Sequence, residues 1–304
     1  MKTFNDLCRM TQPKLKNYMK QYLESKGYQP ICEDGFLYAK GDVPVLLVAH
    51  LDTVHARVCS EIITQGGKIS SPQGIGGDDR CGVFMIANIV KDMHCSVVLC
   101  EDEEEGVVGA GKFAKTEYIK NLDVNYMIEF DRKGSDDAVF YSCGNNEFID
   151  FILDNTGYKE ATGSFTDIST LMPASKLCGV NLSCGYYKAH TLEEYVIPEE
   201  MMNTISVAKA LIALECEKPF EYTAKQSSYA SSSYYSYLLG GTNTGIIDMI
   251  KKDVLLELEA IITDDYGEES IAYGRGTTKA DCWLDLFLNY PYVCMNNISD
   301  YSFS

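Results

Sequence analysis

Basic residues are scarce in this chain. Lys and Arg number 26 against 44 Asp and Glu, a formal net charge of −18 over 304 residues. So negative a surface repels phosphate backbones and anionic bilayers, which excludes nucleic acid and membrane surfaces as partners. Part of the charge is of the kind that bound cations neutralise. Paired cysteine motifs are also missing: there are 12 cysteines but no CxxC. Cys95, Cys100, Cys143 and Cys178 lie inside apolar runs instead, and read as small buried hydrophobes in a reducing compartment. That argues against a disulfide framework and against a cysteine-held zinc. Met1–Asp6 lacks an apolar signal core, and no run reaches the length of a membrane span, so a cytoplasmic protein is expected. Gly74-Ile-Gly-Gly77 lacks the third glycine and the ribose acid of a dinucleotide fingerprint. Histidine is rare, at four residues, so the places where it does occur are informative.

What is present is apolar patterning. Hydrophobic residues make up 46%, enough for a sizeable core in one large or two modest domains. Val45–Ala49 is a short apolar run that reads as a strand buried on both faces, and it delivers His50 and Asp52 at its end. Side chains two apart on a strand share a face. Upstream, Thr11-Gln-Pro13 opens an amphipathic helix with Leu15, Met19, Tyr22 and Leu23 on one side, ending at Gly27. Downstream the spacing predicts a hairpin over Glu61–Ser70 turning at Gly66-Gly67, and a glycine-rich loop from Gly74 opening onto a helix at Val83. Cys95–Cys100 reads as a strand running into Asp102-Glu-Glu-Glu105, followed by a helix over Val108–Leu122 whose Gly109 and Gly111 permit close packing. Further strands are expected over Val124–Phe130, Ala138–Ser142 and Cys178–Ser183, with helices over Asn146–Asn155 and Pro198–Leu214. This alternation predicts an α/β fold, a mostly parallel mixed sheet between helices.

The expected organisation is a catalytic domain over residues 1–218, a Ser/Tyr-rich linker over 219–240 and a helical extension over 241–304, with one helix spanning Thr244–Ile262. The extension is expected to act as a strap or as a docking or assembly module that restricts access to a site.

Five positions at strand ends or in a glycine loop carry metal-ligand chemistry: His50, Asp78, Glu104, Asp131 and His190. In open α/β sheets, sites form beyond the carboxyl ends of strands. One histidine and one acid per metal plus a bridging carboxylate suit two zinc ions, with cobalt or manganese as alternatives. Asp52 is placed to orient His50. Glu103 is an acid left free beside a ligand, suited to act as general base. Taken singly each feature has a plainer reading: an acidic helix start, a turn, a buried histidine, a strand-end ion pair. His55 and His94 keep such a structural reading.

Together, His50-Leu-Asp52, Gly77-Asp78-Asp79, Asp102-Glu103-Glu104-Glu105-Gly106, Phe130-Asp131 and Ala189-His190-Thr191 resemble the co-catalytic zinc exopeptidases, in order and in rough spacing. That superfamily includes zinc aminopeptidases, peptidase T, glutamate carboxypeptidase and succinyl-diaminopimelate desuccinylase. The resemblance covers roughly residues 40–215. It implies that Asp78 bridges two metals, with a cis peptide to Asp79. It further implies that His50 and His190 lie in different shells, that Glu103 is the base and that Asp52 is the support of His50. The shells of Glu104 and Asp131 stay open. Asp131 and His190 are 190 − 131 = 59 residues apart, too few for an inserted lid domain. His50 and Asp78 are 78 − 50 = 28 apart, too few for the insertion of the self-compartmentalising aminopeptidases. A compact aminopeptidase-like hydrolase is expected, acting on small peptides and capable of self-association. An N-acyl amino acid deacylase or carboxypeptidase, or a silent binding protein on the same fold, is the alternative. Asp167, in Gly163-Ser-Phe-Thr-Asp167, and Asp79 are weaker candidates for substrate contact.

Overall fold

The computed structural model describes residues 1–216, 218–225, 256–263, 269–276 and 298–303. Contacts divide the chain into two compact units, Met1–Gln226 and Ser227–Ser304.

In the first unit a short helix, α1 (Phe4–Cys8), is held at its start by a Thr3–Asp6 capping box. Helix α2 (Gln12–Glu24) follows and buries the predicted face of Leu15, Met19, Tyr22 and Leu23. Strands β1 (Ile31–Glu33) and β2 (Phe36–Ala39) form a tight hairpin. β3 (Val43–His50) is wholly buried from Val45 onward, as its apolar run requires. The hairpin β4 (Ile63–Gln65) and β5 (Lys68–Ser70) turns at Gly66 and Gly67, both with positive φ. Then come α3 (Gly77–Ile89) and the buried β6 (Cys95–Cys100).

The single helix expected over Val108–Leu122 is broken into α4 (Val108–Phe113) and α5 (Glu117–Lys120). Thr116 takes an extended N-cap conformation that restarts the helix. β7 (Tyr126–Arg132), β8 (Asp137–Val139) and α6 (Asn146–Thr156) follow, the last capped by the Asn145 side chain. β9 (Lys159–Ala161) and α7 (Asp167–Ser175) carry too weak a pattern to be read ahead; α7 is nine residues long with Pro173 inside it. β10 (Gly179–Ser183), β11 (Tyr186–Tyr187), β12 (Tyr195–Val196) and α8 (Pro198–Ile212) complete the unit.

Eight strands form one sheet in the order β1-β2-β6-β3-β7-β10-β8-β9. Its centre, β6-β3-β7-β10, is parallel, and β2 and β8 join it antiparallel. α3 packs on β3, β6 and β7, with α8 and α1 against it; α7 packs on β3 and β10, with α4 and α5 against it. The sheet is therefore covered on both faces, which explains why its central strands are mostly apolar and why their few polar residues, such as Ser96, Glu129 and Asn181, are buried. A second sheet, β11-β12-β5-β4, ties the early hairpin to the segment around residue 190. The ten cysteines of the described residues are unbonded and eight of them are buried, as their apolar settings imply. Among the described residues no helix is long and apolar enough to cross a membrane.

In the second unit the helix expected over Thr244–Ile262 is contradicted where the structure describes it. Leu256–Thr263 is a strand, β13, paired antiparallel with β14 (Glu269–Gly276) and β15 (Ile298–Phe303). Leu256-Glu-Leu-Glu259 alternates with period two, and Ile261-Ile-Thr263 is β-branched, both strand signals that a helical reading overrode. Residues 226–255 lie outside the described residues, whereas 219–225, expected to begin the linker, belong to the first unit: Phe220 is buried, and Glu221 and Ala224 bridge to Leu177 and Cys143.

Of the two glycines expected to permit close packing, only Gly109 does so. A Cβ there would lie 2.3 Å from Gly35 O and 2.4 Å from Glu101 O, whereas nothing stands within 4 Å of one on Gly111. Gly109→Ala is expected to lower stability by about 1–3 kcal/mol through overpacking. Gly111→Ala, inside α4, should be neutral or gain up to about 1 kcal/mol. Urea denaturation of the two variants checks the contrast.

Candidate metal centre

β3 has β6 on one side and β7 on the other, so the strand order reverses across it. Such a switch point leaves a crevice beyond the strand's carboxyl end. His50 stands there, buried, at the last position of β3. β7 brings Asp131 and the α3 loop brings Asp78, while the β6–α4 loop brings Glu103 and Glu104 and the β11–β12 connection brings His190.

The side chains converge. His50 Nε2 lies 3.0 Å from Asp78 Oδ1 and 3.6 Å from Asp131 Oδ1. His190 Nε2 lies 3.2 Å from Asp78 Oδ2 and 3.1 Å from Glu104 Oε1. The donors thus form two sets, His50–Asp78–Asp131 and Asp78–Glu104–His190, with ligand atoms within 4.8 Å of one another in each. Asp78 belongs to both, one oxygen to each. This geometry sorts the two acids that spacing left open: Asp131 stands with His50 and Glu104 with His190. The Asp78–Asp79 peptide is cis.

The surrounding bonds fix these atoms. Asp52 Oδ1 lies 3.1 Å from His50 Nδ1, which leaves Nε2 facing Asp78. The same carboxylate accepts from Glu103 N at 3.1 Å and Glu104 N at 3.0 Å, so one acid orients both His50 and the acidic loop. Arg80, fully buried on α3, donates to the carbonyls of Leu51, Asp52 and Met10 and holds the end of β3 from below. Asp131 accepts from Tyr186 Oη at 3.1 Å and from Thr166 Oγ1 at 2.8 Å, and its amide donates to Asn181 Oδ1. Tyr186 therefore touches the centre. Thr166 and Asn181 carried no signal of their own. His55 and His94 are structural as expected: His55 meets Glu194 and His94 meets Asp42.

The two residues expected to contact substrate are both enclosed. Asp79 is fully buried, and its oxygens accept from His50 N at 3.1 Å and Gly82 N at 2.8 Å. It braces β3 against α3 and has nothing left for a ligand. Asp167 is likewise buried, with neither oxygen bonded and neither open to solvent, so a substrate amine does not reach it. The reason is local: Thr166 and Ser169 form a capping box, which turns Gly163–Ser169 into a helix start, not a pocket loop.

Crowding of carboxylates sets the electrostatics. Burial, with Asp131, Asp167 and Glu104 nearby, pushes Glu103 up to about 8. Burial and the neighbouring Asp78 raise Asp131 to about 6, and burial raises Asp167 to about 7. Burial opposes charge on His50, but the carboxylates of Asp131, Asp52 and Asp78 outweigh it and raise this imidazole. Asp78 and Glu104 raise His190 to about 10. Burial works against ionised Asp78 too, yet the two histidines hold it below the usual carboxylate range.

Divalent cations fit this donor set. Glu104 Oε1 is buried and accepts no hydrogen bond from the protein, and mixed imidazole and carboxylate donors are those of zinc and its neighbours. In each set the imidazole and carboxylate donors lie within 4.8 Å of one another, close enough to share one cation.

No family model and no curated protein matches the sequence. Solved structures do match the fold. The aminopeptidase PepT of Bacillus cereus aligns over 69% of this chain and 96% of its own, with TM-score 0.56 and 13% identity. A tripeptidase of Staphylococcus aureus aligns over 69% and 96%, with TM-score 0.57 and 13% identity. The chain shares the fold of these peptidases. An aminopeptidase from the archaeon Desulfurococcus kamchatkensis shares it, over 69% of this chain and 93% of its own, with TM-score 0.54 and 14% identity. On this fold the switch point beyond β3 is where the sequence motifs were expected to meet.

Charge crowding has a consequence for stability. Folded Glu103, Asp131 and Asp167 keep their protons to a higher pH than in the unfolded chain, so the stability they contribute is complete at low pH and is lost as pH rises through about 6 to 8. The raised histidines act with the same sign. The melting temperature of metal-stripped protein is expected to fall from about pH 5 to about pH 8, and added Zn2+ to raise it most at the upper end. Thermal scans across pH, with and without Zn2+, check this; a flat metal-free profile would contradict it.

Proposed function

We propose that this chain is a dinuclear metal-dependent hydrolase of peptide bonds, an aminopeptidase that releases N-terminal residues from small peptides. The observation that carries the reading is Asp78 shared between two imidazole–carboxylate sets, with Glu103, next in the chain to Glu104, outside both sets. His50, Asp78 and Asp131 would hold one cation, and Asp78, Glu104 and His190 the other. Such a pair supplies Lewis acidity, making water a nucleophile at neutral pH and polarising the scissile carbonyl. The chain supplies the rest. Asp52 holds the His50 tautomer and the Glu103–Glu104 backbone. Glu103 takes the proton of the attacking water and returns it to the leaving amine.

The compact form of the fold belongs to the proposal. Between Asp131 and His190 the chain is used up by β8, α6, β9, α7, β10 and β11, every one an element of the unit described.

Glu103→Gln removes the base and leaves every proposed ligand in place. Metal content should remain at two per chain while kcat falls by about 10²–10⁴-fold. Elemental analysis and turnover on aminoacyl and N-acyl substrates check it. Undiminished turnover would overturn the role of Glu103. Cleavage restricted to N-acyl substrates would overturn the aminopeptidase reading in favour of a deacylase.

A further inference from the structure

Glu194 lies outside both donor sets, yet it is fully buried and both its oxygens accept from the metal loop. Its Oε1 accepts from Asp78 N at 3.0 Å, across 116 residues of sequence. Its Oε2 accepts from Gly76 N at 2.9 Å and lies 2.8 Å from His55 Nε2. Gly76 and Asp78 are at the start of α3, where a helix leaves its amides unpaired, and a carboxylate is the strongest ordinary acceptor for them. The loop is pressed closely against this region. A Cβ on Gly77 would meet Val196 Cγ2 at 2.7 Å and Tyr186 Cβ at 2.9 Å, with Glu194 Oε1 at 3.3 Å. Gly74 has no room for a Cβ beside the His55 ring.

The backbone that carries Glu194 also carries His190, four residues earlier, and continues into β12, which pairs with β5 through Tyr195 and Val196. One buried carboxylate therefore joins the loop of Asp78 to the segment of His190. Asp79 does the corresponding service on the other side, joining Asp78's neighbour to the backbone of His50.

We infer that Glu194, buttressed by His55, is a positioning residue for the whole dinuclear centre: it fixes the shared ligand Asp78 relative to His190. This rests on the metal-centre reading above. A residue that serves only as a distant helix cap would change folding stability and nothing at the metals. A residue that positions Asp78 must change both ions together, because Asp78 belongs to both sets.

The test is Zn2+ titration calorimetry on the metal-stripped full-length chain, with the visible spectrum of the Co2+-loaded protein as a second readout. Glu194→Gln keeps size and shape but replaces one acceptor by a donor facing the amides. It is expected to fold, to bind both equivalents of Zn2+ about 10–100-fold more weakly, and to shift the Co2+ bands. Glu193→Gln, an exposed neighbour paired only with Lys188, should match wild type in every readout. Wild-type affinities and an unchanged Co2+ spectrum in Glu194→Gln would overturn the inference, as would weakening of one equivalent alone. Should circular dichroism show that Glu194→Gln does not fold, His55→Gln takes its place. This variant loses one of the three contacts and must weaken both equivalents in the same direction; wild-type binding there would overturn the inference. If the wild-type chain itself binds no Zn2+, it is the metal-centre reading that fails, and this inference falls with it.

Discussion

The constraint on which the structure turns is the burial of acid. Asp78, Asp131, Glu103 and Glu104, with Asp52 and Asp167 behind them, crowd one crevice, where the imidazoles of His50 and His190 are the counter-charges that touch the ligands. Burial of unpaired carboxylates is costly, and without cations the protein meets that cost by holding protons on some of them. Divalent cations resolve the same conflict more completely, because each is attracted to every acid in the group. The network makes sense in that light. Asp52, Asp79, Arg80 and Glu194 hold the ligands apart and in place, against a repulsion that would otherwise open the site.

Much of this was legible in sequence, because the determinants are local. β3 and β6 are unbroken apolar runs with polar tips, so both their burial and the delivery of His50 and of Glu103–Glu104 could be read off them. Asp78 lay in a glycine loop, and His190 was one of four histidines. Contacts between distant segments could not be read. Nothing in Thr166 or Asn181 announces that they hold Asp131, and the enclosure of Asp79 and Asp167 follows from how β3, α3 and α7 pack, which no pattern of residues encodes. Pairing of the acids to the two histidines needed distances.

Secondary structure shows the same boundary between local and tertiary causes. Where an early proline and periodicity agree, as in α2 and α8, reading and structure coincide. Where a segment is short or carries a proline, as in α7, tertiary packing decides. In Leu256–Thr263 two periods compete, since Ile250, Val254 and Leu258 suggest a helical stripe while Leu256-Glu-Leu-Glu alternates. Partner strands β14 and β15 settle it by offering hydrogen bonds along the whole length of β13.

The central claim is that one aspartate is shared by two cations. Crystals of the Zn2+-loaded chain, measured on either side of the zinc absorption edge, would test it most directly. The account expects two anomalous peaks about 3.5–4 Å apart, one on each oxygen of Asp78, with His50 and Asp131 at the first and Glu104 and His190 at the second. A single peak, or two peaks that do not share Asp78, would contradict it.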